Sequence, residues 1–286
     1  MERAFVSPAG AERRSPTPAA VHKREAIRRL KDAMQEDRFV LHYQPIVGAR
    51  DGRVASAEAL LRWRTPDREQ DSITELIGSV ERSPVIFKLE NWTLAQALRA
   101  ARVWRDAGLG GLRVAVNLSA REFPRANVVR RVQQQLAAAR LPPTALALEI
   151  TESSRMEDFG AAADRLEELA ALGIELWLDD FGTGHSSLEW LSLLPTHGLK
   201  IPGTFVERLL ADRRCHVIVR RAIEMAHDLG LRVVAEGVET AEQRDRLAAD
   251  GCDLFQGFLF FPPMPAEELP GALAAAGAGP AGRSAS

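Results

Sequence analysis

Cysteine is almost missing from this chain: Cys215 and Cys252 are the only two in 286 residues. Two thiols make no disulfide framework, and a reducing cytoplasm is the setting that fits. No run of roughly 18 apolar residues occurs, so no membrane span is expected. The first twenty residues carry Arg13, Arg14 and Pro16 but lack the apolar core of a secretion signal. Neither sign of charge dominates. A net charge of −2 argues against a broad surface for nucleic-acid polymers, while leaving room for a local phosphate site. Apolar residues, by contrast, make up 46% of the chain, ample for a large buried core.

Residues 1–22 are rich in Ala, Pro, Ser and Arg without periodicity and read as a disordered leader. Residues 269–286 fade into Ala, Gly, Pro and Ser and read as a disordered tail, which leaves residues 23–268 as one domain. Ala26, Ile27, Leu30 and Met34 follow helical spacing and predict a helix ending near Asp37. Strands are expected over 39–47, 54–63, 112–118, 145–151, 174–178, 198–201, 232–235 and 254–260, most of them ending on a polar residue and followed by a helical segment. Eight strand–helix units over this length fit a (β/α)8 TIM-like barrel, in which strand ends converge on one mouth. A doubly wound open sheet is the alternative, but no glycine fingerprint follows an early strand.

Leu176-Trp177-Leu178-Asp179-Asp180-Phe181-Gly182-Thr183-Gly184 is the stretch around which the rest is organised. It delivers two adjacent acids into a glycine-loosened turn, an arrangement that a divalent cation makes affordable. Converging strand ends would add Glu58, Asn117, Glu149, Lys200 and Glu236 to the same cavity. This oxygen-rich set suits Mg²⁺ or Mn²⁺, and no His or Cys stands at these ends with zinc spacing. The set is large enough for two cations about 3.5–4 Å apart, the arrangement that cleaves phosphodiesters with an activated water. Lys200 could orient that water or neutralise charge, and Arg62 could hold a phosphate oxygen. Each has a plainer reading: Asn117 as a helix cap, Lys200 as a lysine reaching out to solvent. Glu239 reads equally well as a first-turn acid favoured by the helix dipole, and His185 as a solvated loop residue.

Taken in order, Tyr43-Gln44-Pro45-Ile46-Val47, Glu58-Ala59-Leu60 with Leu61-Arg62-Trp63, Val116-Asn117-Leu118-Ser119, Leu148-Glu149-Ile150-Thr151-Glu152, Asp179 to Gly184, Leu199-Lys200-Ile201, Ala235-Glu236-Gly237-Val238-Glu239 and Gln256-Gly257-Phe258 resemble the motifs of the EAL-domain family. The resemblance covers about residues 25–266. It implies hydrolysis of cyclic di-GMP to the linear dinucleotide in a barrel whose first strand is antiparallel to the rest. It implies Glu58, Asn117, Glu149 and Asp179 around one metal, and Asp179, Asp180 and Glu236 around a second. Lys200 would assist the attacking water, Glu152 would hold the glycine loop, and Gln44, Leu60, Arg62 and Gln256 would touch the nucleotide. The family also uses the loop after Asp180 at a homodimer interface. No regulatory partner is named by these residues.

Three departures stand out. The family commonly has Asp two residues beyond the lysine, where this chain has Pro202. His185 replaces a common tyrosine, and the segment from Glu69 to Lys88 lacks a usual glycine near Pro84. Proline removes a backbone N–H as well as the carboxylate. A second reading is therefore a weak or inactive EAL domain that acts as a cyclic di-GMP receptor or a protein-interaction module.

Overall fold

The computed structural model describes residues 18–64, 70–80, 83–125, 127–151, 159–183 and 187–277. The chain begins with helix α1 (Pro18–Gln35), strands β1 (Phe39–Gly48) and β2 (Val54–Trp63), and helices α2 (Gln70–Val80) and α3 (Ile86–Asp106). It continues through β3 (Arg113–Ser119), α4 (Val128–Ala139), β4 (Leu146–Thr151), α5 (Phe159–Ala171), β5 (Glu175–Asp179), α6 (Ser187–Leu193) and β6 (Gly198–Ile201). Last come α7 (Gly203–Arg208), α8 (Arg213–Asp228), β7 (Arg232–Ala235), α9 (Ala241–Ala249), β8 (Leu254–Phe255), β9 (Met264–Pro265) and α10 (Leu269–Ala275).

Strands β2 to β8 pair in parallel, each with the next. Strand β1 closes the ring, antiparallel to β2 on one side and to β8 on the other. The result is an eight-stranded barrel with a reversed first strand, and β9 adds a short pairing to β1 at His42 and Tyr43. Side chains alternate across a strand, so every second residue looks inward. The outward set, including Val114, Val116, Leu148, Ile150, Leu176, Leu178, Leu199 and Val233, forms the main core beneath the helices. Helix ends are fastened locally. Asp212 accepts from the Arg214 amide to start α8, and Thr240 with Gln243 makes a capping box on α9.

A second apolar cluster sits apart from that core. Ala26, Leu30 and Ala33 of α1 join Phe39, Trp63, Ile73, Leu76, Val80, Val85, Ile86 and Leu89 there. The expected helix over 26–34 is therefore part of a longer one, and the boundary set at residue 23 falls inside α1, because its apolar stripe has a partner in α2. The expected tail also needs correction. Residues 269–275 are helical, with Leu269 and Leu273 buried against the barrel. The strand expected over 254–260 stops at Phe255, where the chain turns past Gly257. Among the described residues no helix is long and apolar enough to cross a membrane.

Candidate active site

The inward-facing residues stack in layers. At the lower end Glu175 pairs with Arg113 at 3.2 Å and with Arg232 at 2.9 Å. Above it Ile46, Ala115, Ala147, Trp177, Val234 and Leu254 form an apolar plug. Two residues further along the parallel strands, at the same inward phase, come Asn117, Glu149, Asp179, Glu236 and Gln256. Lys200 stands in the same relation to Gly198, and Gln44 precedes Ile46 by two because β1 runs the other way. The plug closes the barrel from below, and the polar layer faces the mouth.

Lys200 is the hub of that layer. Its Nζ lies 3.1 Å from Glu58, 3.0 Å from Glu149, 3.4 Å from Asp179 and 2.7 Å from Glu236. The side chain is 1% exposed, so it does not reach out to solvent. Asn117 Nδ2 donates to Glu58 Oε1 at 2.9 Å, and Gln256 Nε2 donates to Glu58 Oε2 at 2.8 Å and to Gln44 Oε1 at 3.3 Å. Gln44 Nε2 in turn donates to the Phe261 carbonyl.

Asp179 and Asp180 reach one place because the strand ends between them. Asp180 takes φ +55° and its amide donates to Asp179 Oδ1 at 3.0 Å. Asp179, Asp180 and Glu236 each present an oxygen within 4.8 Å of the others.

The electrostatics of the cluster are unbalanced. Burial, then the facing Glu58, pushes the Glu149 carboxyl well above its ordinary value. Burial likewise carries Glu236 up to about 8 against the pull of Lys200. For Glu58, burial is outweighed by Lys200 and by the Gln256 and Asn117 hydrogen bonds, so it falls below its ordinary value. Burial alone would lower Lys200, yet Asp179, Glu149, Glu236 and Glu58 together hold it well above the usual lysine range. Five carboxylates against one ammonium call for more positive charge. Asn117 Oδ1 and Gln256 Oε1 are buried with no hydrogen-bond donor. An all-oxygen donor set with an unclaimed buried carbonyl fits hard divalent cations.

Gln44, Glu58, Leu60, Asp179, Glu236 and Gln256 line a cavity of about 330 Å³, with Gly203, Glu239 and Phe258 at its edge. A second cavity of about 460 Å³ shares Leu60 and Asp179 and is also lined by Arg62, Asn117, Ser119 and Glu90. Thus every site residue expected from the sequence gathers at this mouth except Glu152, which, like Glu69, Gly184 and His185, lies outside the described residues. Pro202 opens α7 with φ −59° and brings no carboxylate to the cavity wall, which Gly203 leaves bare. Sequence reasoning missed Glu90 and Glu122, both buried. Glu90 does interrupt the apolar stripe of α3 formed by Leu89, Leu94, Ala97 and Leu98, and that was the available signal.

A family model described as the EAL domain matches residues 27–263. The chain is 40% identical to the signaling protein YkoW of Bacillus subtilis over 84% of its own length and 30% of the relative's. It is 41% identical to MucR of Pseudomonas aeruginosa, a bifunctional diguanylate cyclase and cyclic di-GMP phosphodiesterase, over 84% of this chain and 35% of that one. The chain thus spans about a third of the length of these relatives. Among solved structures, the PaMucR phosphodiesterase in complex with cyclic di-GMP is 39% identical with a TM-score of 0.77, covering 86% of this chain and 99% of that one.

Proposed function

The chain belongs to the EAL-domain family, and from that premise we propose that it hydrolyses cyclic di-GMP to the linear dinucleotide. The observation that carries the reading is the cluster of four carboxylates around Lys200 at the barrel mouth, joined by Asp180 and by the Asn117 amide. EAL phosphodiesterases are metal-dependent, and the donors here would select Mg²⁺ or Mn²⁺. Glu58, Asn117, Glu149 and Asp179 would hold one cation, and Asp179, Asp180 and Glu236 the other. Bound there, the cations would lower the pKa of water and neutralise phosphoryl charge. Lys200 would keep a fixed positive charge where the phosphorane builds negative charge, and it is already oriented by its four acids. Arg62 would hold a non-bridging oxygen with its planar fork. Gln44, Leu60 and Gln256 would position the nucleotide along the cavity wall, and Glu152 would support the glycine loop. Exposed Leu188 and Leu193 on α6, just beyond that loop, support a homodimer through this face. The two buried free cysteines support a cytoplasmic setting.

The test is conversion of cyclic di-GMP to the linear product with Mg²⁺ and then Mn²⁺, with Glu58→Ala as the blank. Turnover in the parent and a loss of at least about 100-fold in the variant are expected. Nucleotide binding with neither metal giving turnover would make the protein a receptor instead, with Pro202 as the first suspect. Failure to bind any cyclic dinucleotide would overturn both readings.

A further inference from the structure

Two acids outside the carboxylate cluster around Lys200 are buried near the mouth of the barrel. Glu90 lies on the inward stripe of α3 at 7% exposure, and Glu122, in the turn after β3, is fully covered. Glu90 Oε1 accepts a hydrogen bond from the Ser119 amide at 2.9 Å. Glu90 Oε2 and Glu122 Oε1 are buried with no donor hydrogen-bonded to them. Arg131 of α4 pairs with Glu122, and Arg62 and Asp179 share the cavity that Glu90 borders. Among the described residues Arg131 is the cation paired with this carboxyl couple, and the charge on Glu122 is felt at Glu90. Two such groups cannot both ionise cheaply. Burial first, and the Glu122 charge second, push Glu90 up to about 8. A proton on Glu90 turns two facing acceptors into a donor and an acceptor, and leaves one charge for Arg131.

We propose that Glu90 is a positioning residue: as a neutral acid donating to Glu122, it clamps the end of β3 at Ser119 and so sets Asn117, two residues earlier, against Glu58. The functional half of this rests on the reading of Asn117 as a metal donor. Raising the pH removes the shared proton, the two carboxylates repel, and the end of β3 loosens. Deprotonation of the acids at the centre would strengthen cation binding as pH rises, so an alkaline loss has the opposite sign and identifies the Glu90 pair.

Glu90→Gln keeps an acceptor for Ser119 and gives Glu122 an amide donor at every pH, whereas Glu90→Leu removes both. Mg²⁺ affinity measured by calorimetry is expected to fall about tenfold in the parent relative to Glu90→Gln between about pH 7 and about pH 9, the deprotonation of the central acids being common to both proteins. Glu90→Gln should match the parent at the lower pH and hold or gain affinity at the higher, as the central acids lose their protons. Glu90→Leu should bind about tenfold more weakly throughout. Hydrogen exchange of the metal-free proteins near pH 7 reads the clamp directly: the Ser119 amide should be protected in the parent and in Glu90→Gln, and exchange freely in Glu90→Leu. The same alkaline loss in Glu90→Gln, or equal Ser119 protection in all three, overturns the proposal. If no variant binds Mg²⁺, the metal reading fails, and the Ser119 exchange still decides whether the clamp exists.

Discussion

A lysine held among four carboxylates sets the terms for everything else in the cavity. Lys200 supplies the one cation that lets Glu58, Glu149, Asp179 and Glu236 share a buried layer. Removing one partner of a buried ion pair typically costs about 3–5 kcal/mol, because the charges left behind have lost both water and partner. Lys200→Met should therefore lower the melting temperature of the metal-free protein substantially. On the proposed metal reading, divalent cations would bind the native cluster and replace the missing charge, so Mg²⁺ should raise the melting temperature of Lys200→Met more than that of the parent. Thermal unfolding with and without Mg²⁺ checks this, and equal shifts in both proteins would show that the acids do not gather a cation. Turnover should not return with the restored stability, because in the proposed mechanism the ammonium acts at the reacting phosphate rather than anywhere in the cluster.

At the scale of strands, the site depends on small residues that let backbones meet. A Cβ on Gly257 would lie 2.1 Å from the Val238 carbonyl oxygen and 2.3 Å from its amide nitrogen. Gly257 follows Gln256, which reaches both Glu58 and Gln44, so Gly257→Ala must move the chain that carries this contact. A cost of about 1–3 kcal/mol is expected from overpacking against backbone, together with weaker nucleotide binding. Urea unfolding and cyclic di-GMP titration measure the two, and a variant with parental stability would refute the close approach.

Much of this arrangement was legible in the sequence. Seven of the eight barrel strands lie within a residue or two of their expected positions, because apolar runs punctuated by a polar residue follow from a barrel with a wet mouth. The reversed first strand was not readable from periodicity, since a strand looks alike in either direction; only the family resemblance implied it. The Glu90–Glu122 pair was hidden for another reason. Acids on helices and in turns usually face water, and nothing local to Arg121-Glu122-Phe123 marks the burial that tertiary packing imposes.

Over the whole molecule, the barrel core and the α1–α2 cluster are distinct groups of buried residues, joined through half-buried Leu61 and Trp92. The second one has a direct line to the mouth. Ile73 faces the α1–α2 cluster and also lines the 460 Å³ cavity, together with Ile77, Ile86 and Leu89. The wall of that cavity is therefore only as firm as the packing of α1 behind it. Leu30 is fully buried in that packing, and Leu30→Ala should cost about 2–5 kcal/mol through lost burial and the cavity left behind. Because the two clusters are distinct, the loss should fall unevenly. Hydrogen exchange should quicken in α1 and α2 while the amides of β3, β4 and β5 keep their protection. Turnover measured on the same variant should show KM rising with kcat little changed, since Glu149, Asp179, Lys200 and Glu236 stand on or just beyond β4, β5, β6 and β7, none of which adds a residue to the α1–α2 cluster. Loosening shared evenly by helices and strands would mean a single cooperative core. In that case α1 would be ordinary framework rather than the support of the cavity wall.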